Sequence, residues 1–403
     1  MERPGTTTPR GPLVGLRVVD ASNFLAAPTV SMHLADLGAE VIKIERPEGG
    51  DEFRQWGHAK QGVGLYSKVV NRNKKSVTAD LRTPLGAEIA KRLAARADIL
   101  IENYRPGTME RWGLGWEVLH ALNPRLVMLR VTGYGQSGPN AQKPGFGTAL
   151  EGYAGAVHIA GEPGRPPLLP PFGLADSSAG LCGAFLALAA LRERDASGQG
   201  QVVDLALYEA MFAMLGPLVV DYDQLGLVQE RVGSRLPWVA PRNTYRCRDG
   251  KWVSLSASSN ATFVRLCDAL GIPALADDPR FAGNRERVVN VEALDEALQA
   301  AMLRFDRADL IRVIEASNAV VAPVNDVRDV LADAHIQARG SVIAVEDEEL
   351  GGPLRMQAPS GRFARTPAEV RHAGPPIGAH NREVLVELLG FEEAALRAAG
   401  LPL

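Results

Sequence analysis

Cysteine is scarce in this 403-residue chain: Cys182, Cys247 and Cys267 are the only three, and they lie far apart. No C-x-x-C pair and no cysteine–histidine cluster of zinc spacing occurs. That excludes a disulfide framework, a thioredoxin-type redox motif and a structural zinc site. The three read as small buried hydrophobes in a reducing compartment. An excess of one charge is missing too. Forty-four Lys and Arg stand against 47 Asp and Glu, a formal charge of −3, which excludes a strongly basic nucleic-acid binder and an acidic tail protein. The seven histidines are scattered, with no H-E-x-x-H pair. The longest apolar run, Ala179 to Leu191, is 13 residues, short of the roughly 20 that a bilayer needs. The Thr/Pro/Gly-rich stretch from Met1 to Pro12 has no signal-peptide core. We expect a soluble, cytoplasmic protein with a flexible arm over residues 1–12, one that touches neither nucleic acid nor membrane.

What is present is alternation. Leu16–Asp20 reads as a strand and Pro28–Leu37 as a helix with proline in its first turn; Gly38 stops it, and Val41–Glu45 is a second strand. A polar stretch follows over 46–75, then a short strand at Val77–Leu81. Over 84–97, Leu85, Ile89, Leu93 and Ala97 recur at helical spacing. Asp98–Glu102 and Leu126–Val131 are further strands, with a helix at Trp116–Leu122 between them. Helices are expected at Ser177–Glu193 and Leu205–Leu215. Strands separated by helices imply parallel βαβ units, hence an α/β fold with a doubly wound parallel sheet. Residues 13–215 form the first part of this large domain, 216–241 a linker, and 242–330 a smaller α+β domain. Short strands near 342–364 and two terminal helices make up 331–403.

The loop after the first strand, Asp20 to Pro28, contains no glycine. The dinucleotide fingerprint G-x-G-x-x-G needs glycine there for close approach to a pyrophosphate, which argues against NAD or FAD as cofactor. No Walker A sequence occurs. Ser137, in Gly135-Gln136-Ser137-Gly138, lacks the spacing of a nucleophile elbow and reads as a turn. Asp176 stands just before the most apolar helix. As structure it is an N-cap, its carboxylate accepting from an amide two or three residues on. As chemistry, a carboxylate facing the free amides of a buried helix start is a nucleophile beside a ready-made oxyanion site. Basic residues (Arg46, Arg72, Lys74, Lys75, Arg82, Arg105, Arg111 and Lys143) follow strand ends or neighbour them, where open α/β sheets bind ligands, and suit a phosphate-bearing small molecule.

Taken in order, Leu16-Arg17-Val18-Val19-Asp20, Ala26-Ala27-Pro28, the run Leu37 to Glu45, Asn71 to Ser76, Glu102 to Gly107, Thr132 to Pro139, Ala175-Asp176 and Gly198 to Asp204 resemble the class III coenzyme A transferases, the CaiB/BaiF family. Asp278 to Phe281, Ala322-Pro323-Val324 and Pro375 to His380 extend the resemblance to about residues 11–395. It implies a Rossmann-like large domain built from both chain ends, a small domain, and two chains interlocked as a homodimer. Asp176 would be the catalytic nucleophile, passing through a mixed anhydride and an aspartyl-CoA thioester. CoA, a substrate rather than a bound cofactor, would be held by Leu25, Ala26, Arg46, Ala79, Arg82, Asn103, Tyr104, Arg111, Trp112 and Lys143. No metal is implied. The activity would carry CoA from an acyl-CoA, with succinyl-CoA one donor, to a free carboxylic acid. Racemases of the family place a His-Asp pair where this chain has Phe146-Gly147, so one of their two proton acceptors is missing. The glycine-rich lid of the formyl-CoA enzymes is replaced by Gly233 to Trp238. An acyl-CoA α-carbon racemase and a non-catalytic acyl-CoA-binding protein are the alternatives.

Overall fold

The computed structural model describes residues 10–403. Most of the arm read over 1–12, Met1–Pro9, lies outside them. The chain divides into two compact units. One gathers the chain up to residue 156 with 169–217 and 335–403; the other combines 157–168 with 218–334.

The first unit begins with β1 (Arg17–Asp20), α1 (Ala26–Asp36) and β2 (Glu40–Glu45). A two-residue hairpin, β3 (Ala59–Lys60) with β4 (Val63–Gly64), and helix α2 (Leu65–Val70) precede β5 (Lys74–Thr78). Then come α3 (Pro84–Ala94), β6 (Ile99–Glu102), α4 (Thr108–Arg111), α5 (Trp116–Leu122) and β7 (Val127–Thr132). After α6 (Gly147–Tyr153), the long α7 (Leu174–Ser197) leads to β8 (Val202–Ala206) and α8 (Leu207–Phe212). The six strands β5-β2-β1-β6-β7-β8 form one sheet, parallel throughout. Alternate residues enter two cores, because successive strand side chains point to opposite faces. Val19, Ile42, Leu100 and Met128 join α3 and α5 in one; Val18, Val41, Ile101 and Leu129 join α1, α7 and α8 in the other.

Helix α7 lies close on α1 because their shared face is small. A Cβ at Gly180 would strike the side chain of Thr29, and one at Gly183 would strike Val30. This contact fixes the start of α7 against the loop that enters α1. Among the described residues α7 alone is long and apolar enough to cross a membrane, and half of its most apolar window is buried in the protein. The expectation of an apolar stretch too short to span is corrected on length: the helix runs 24 residues, stopped by Gly198 in the left-handed conformation.

Among the described residues the outer edge of β5 carries no further strand. Residues 372–381 cover it: Asn73 N–H donates to His372 O, Thr78 N–H to Asn381 Oδ1, and His380 N–H back to Ser76 O. Such a cover blocks an edge that would otherwise pair with another chain. The expected strand at 77–81 is shifted to 74–78. The alternation that places it involves Lys74, which is fully buried. The expected helix at 205–215 is β8 followed by α8, since Val202–Ala206 pairs with β7. Helix α2 falls in the stretch read as polar, and α6 in one where no element was expected.

In the second unit, α9 (Leu218–Leu225) occupies the stretch read as a linker, and none of its residues is buried. An antiparallel sheet β11-β10-β9, made of β9 (Arg242–Arg246), β10 (Trp252–Ser256) and β11 (Val320–Pro323), packs on helices Asn260–Ala269, Val291–Met302 and Arg307–Ala316. Its polar pin is Asp295, which accepts from Tyr245, Asn243 and Arg235. The chain then returns to the first unit with a hairpin, β12 (Val342–Asp347) and β13 (Gly352–Gln357).

Candidate active site

A parallel sheet whose strand order reverses leaves a crevice at the carboxyl ends of its strands. Here the reversal lies between β1 and β6: from β1 the chain winds to β2 and β5, from β6 to β7 and β8. A cavity of about 420 Å³ opens there, entirely within the first unit. The loops after β1 and β6 are stitched together across it. Asn103 Oδ1 accepts from Asn23 N–H at 2.9 Å, its amide donates to Asn23 O at 2.7 Å, and Asn23 Nδ2 donates to the Tyr104 hydroxyl at 3.1 Å.

Below this loop lies a dense charge cluster. Asp20, at the end of β1, accepts from the Ser31 hydroxyl at 2.6 Å and from Lys74 Nζ at 3.0 Å. Lys43 Nζ lies 3.0 Å from Asp51, which accepts from the Phe24 amide at 3.0 Å. That bond holds Phe24 at φ 63°, a left-handed conformation that costs a non-glycine residue of order 1 kcal/mol. The strained turn aims the Phe24 ring edge-on at Phe146, 5.3 Å away, and brings Leu25 and Ala26 to the cavity wall. Burial alone would raise the pKa of Asp20; the two lysines and the serine hydroxyls outweigh it and hold the group far below the ordinary carboxylate range. At Lys74, by contrast, burial wins over the attraction of Asp20 and brings the ammonium down to about 8.

Nine of the ten expected CoA-contacting residues line the cavity: Leu25 and Ala26 from the β1 loop, Arg46 after β2, Ala79 and Arg82 after β5, Asn103, Tyr104 and Trp112 after β6, and Lys143 beyond β7. Tyr104 and Trp112 meet edge to face at 4.8 Å. Arg46 pairs with Glu52 at 2.6 Å and Arg82 with Asp80 at 2.8 Å. Lys143 and Arg105, both exposed on the rim, form no ion pair among the described residues and stand ready for an anion. Arg111 is the exception. It lies outside the cavity lining, on the exposed side of the one-turn α4, where its guanidinium donates to Thr108. Of the other basic residues, Arg72 is spent on Asp36, Lys74 on Asp20, and Lys75 on Glu40 and Glu383.

Asp176 lines the same cavity. It is not a cap: the N-cap of α7 is Gly173, and Asp176 sits in the first turn with no side-chain bond to a later amide. Two glycines make its place. A Cβ at Gly147 would fall on the Asp176 carboxylate, and one at Gly173 would press on both that carboxylate and Leu25. Among the described residues no cation faces the group. Burial raises its pKa and the nearby Glu151 carboxylate raises it further, against its own backbone amide, to about 6. The helix N-terminus favours the anion, but here burial and like charge win. Asp176 in turn adds to the burial that lifts the Tyr66 phenol. Ser137 is exposed, and its turn is held by Gln136 N–H on Asp204.

Glu151, Gly147, Phe24 and Tyr66 carry no signal along the chain that sets them apart. Gly147 is needed for close approach rather than for its backbone angle, and closeness appears only in three dimensions. The arrangement offers a carboxylate of near-neutral pKa in a cavity of mixed polar and apolar lining, with paired and unpaired cations further along it.

The CoA-transferase family III model matches residues 13–381 of the chain. Over 386 residues it is 44% identical to a succinyl-CoA–D-citramalate CoA-transferase of Chloroflexus aurantiacus, covering 96% of each protein. It is 40% identical over 390 residues to the β subunit of a succinyl-CoA–L-malate CoA-transferase from the same organism, again covering 96% of each. Among solved structures, a CaiB/BaiF family protein from Brucella suis superposes with a TM-score of 0.83 at 34% identity, over 94% of this chain and 100% of that one.

Proposed function

The chain belongs to CoA-transferase family III and is a CoA-transferase; from that premise we propose that Asp176 is its nucleophile and a succinyl-CoA its donor. One observation carries the assignment: an uncompensated carboxylate with a pKa of about 6, seated in the switch-point cavity where glycines leave it room. At neutral pH it is an anion of raised basicity, which favours attack.

The reaction is an exchange in four attacks. An oxygen of Asp176 adds to the thioester carbon, the C–S bond breaks, and CoA leaves as thiolate from a mixed anhydride. The thiolate attacks the aspartyl carbonyl, releasing the donor acid and leaving aspartyl-CoA thioester. The acceptor carboxylate attacks that carbonyl and again frees the thiolate. The thiolate then takes the acceptor's acyl carbon, and Asp176 returns as carboxylate. No proton is consumed and thioester replaces thioester, so the reaction runs without ATP. Leu25, Ala26, Ala79, Asn103, Tyr104 and Trp112 would shape the adenosine and pantetheine path, while Arg46, Arg82 and Lys143 would meet the phosphates, with Arg105 added to the set and Arg111 left out of it. Both Chloroflexus relatives are named for succinyl-CoA donors and for hydroxylated dicarboxylic acceptors, which supports a C4–C5 dicarboxylic acid as acceptor here. Phe146, an apolar ring at the cavity, takes no proton and disfavours racemisation.

We further place the enzyme in the cytoplasm, in keeping with its three free cysteines, and assign it the interlocked homodimer of its family. The exposed Val219, Val220, Tyr222 and Leu225 of α9 support association; light scattering at the mass of one chain would refute it. The main test is mass spectrometry after mixing with a panel of acyl-CoAs and trapping with hydroxylamine. An adduct on Asp176, strongest with succinyl-CoA, is expected. No adduct with any donor, together with solvent deuterium entering the acyl α-carbon, would overturn the transferase mechanism.

A further inference from the structure

Helix α6 presents two residues to the first turn of α7. Gly147 and Glu151 stand four apart, hence on one face of the helix. Gly147 gives the Asp176 carboxylate its space. One turn on, Glu151 is only 2% exposed, and its Oε1 accepts from the amide of Ala175, next to Asp176, at 3.1 Å. Among the described residues no ion pair compensates this buried charge. A neutral acceptor such as glutamine would serve a lone amide equally well and spare the cost of burying a charge. The amide bond therefore accounts for an acceptor at this position but not for a carboxylate.

The charge has a use in the reaction. Two carboxylates held close repel one another. When Asp176 becomes an anhydride or a thioester it loses its charge, and the repulsion ends. An interaction unfavourable in the resting enzyme and relieved as the acyl bond forms lowers the barrier to that bond. Other ionisable groups are turned elsewhere. From α2 the Tyr66 phenol faces Asp176. On the elements packed against α7, Glu209 of α8 lies by Cys182 and its own strand junction, and His33 of α1 lies by Arg72 and Lys74. Arg130 of β7 is bound to Glu102 and Glu110, and Asp204 of β8 to the Gln136 amide.

We propose that Glu151 is a positioning residue for acyl transfer: its bond to the Ala175 amide seats Asp176 against Gly147, and its charge favours the step that removes negative charge from Asp176. This rests on Asp176 being the nucleophile, so the test reads that nucleophile directly. Single-turnover labelling of Asp176 by succinyl-CoA is followed by mass spectrometry from pH 5 to pH 9 in the wild type, Glu151→Gln and Glu151→Asp. Glu151→Gln keeps an acceptor for Ala175 and removes the charge. It should fold, label Asp176 roughly tenfold more slowly at pH 8, and move the acid limb of labelling to lower pH. Glu151→Asp keeps the charge but pulls it back by one methylene; the acid limb should stay near that of the wild type while the rate falls. Wild-type rate and pH profile in Glu151→Gln would overturn the proposal while leaving the nucleophile in place. No label on wild-type Asp176 with any acyl-CoA would instead remove the reading beneath it. Should Glu151→Gln fail to fold, Gly147→Ala carries the test: its methyl group displaces the carboxylate, labelling should fall at least tenfold with CoA binding kept, and unchanged labelling would refute the seating.

Discussion

Asp20 and Asp176 are both carboxylates of the first unit, and their surroundings push them in opposite directions. Asp20 is wholly buried yet firmly ionised, because Lys43, Lys74 and two hydroxyls surround it. Asp176 is less buried yet much harder to ionise, because its charged neighbour is Glu151 and, among the described residues, no cation faces it. Depth alone therefore decides neither charge state. Partners decide, and the chain spends its cations on a carboxylate that holds a loop in place while withholding them from the proposed nucleophile.

The sharpest way to break this contrast is to delete the proposed nucleophile. Asp176→Ala should lower transfer at least about 10³-fold, roughly 4 kcal/mol of transition-state free energy, with CoA affinity little changed. Steady-state kinetics and a CoA titration check both halves. Next in size is the structural member. Asp20→Asn removes the one ion-pair partner of the buried Lys74, while Lys43 keeps Asp51, and should cost about 3 kcal/mol of stability by denaturant unfolding. Near wild-type stability would show that Lys74 finds another partner.

The third prediction concerns pH. The folded protein holds a proton on Asp176 to about pH 6, above the ordinary carboxylate value. The residue's contribution to stability is thus full below about pH 4 and is lost as pH rises through about 6. Asp176→Asn, which never ionises, should then unfold at higher temperature than the wild type at pH 8, by an equivalent of about 2 kcal/mol, and the gap should close near pH 4. A gap that widens on acidification would contradict the raised pKa. Activity should fall with a single acid limb as pH drops through about 6. The smallest effect belongs to the rim. Arg46 is already paired with Glu52, so Arg46→Ala should raise KM for the acyl-CoA only about five- to tenfold and leave kcat unchanged. An unaltered KM would take Arg46 out of the phosphate contacts.

Much of the first unit is legible along the chain. The strands β1, β2, β6 and β7 are short apolar runs bounded by turns, and α3 declares itself through Leu85, Ile89 and Leu93. Asp176 stands out because a lone acid precedes a long apolar helix. What escapes the reading has a physical cause in each case. Strand β5 begins on two lysines, and only the buried Asp20 explains why Lys74 lies inside. Strand β8 runs straight into α8, and Val202 to Phe212 suits either period. Glu151 resembles any exposed helical acid until its amide partner on another helix is seen. Arg111 lies beside Trp112 in sequence, but one turn of helix separates a cavity wall from solvent.

The cover over the edge of β5 sets an order of events as the chain is made. Asn73, Ser76 and Thr78 are synthesised early, and the residues that occupy their outward backbone groups, His372 to Asn381, arrive some 300 positions later. Throughout synthesis of the second unit the sheet has an unguarded flank, and loop closure over such a span is slow. A ribosome stalled after β8 and before that stretch would display an open strand edge at β5 with the cavity-forming loops already present. The vulnerability of this enzyme to aggregation is therefore concentrated in time, between the completion of β8 and the emergence of Asn381.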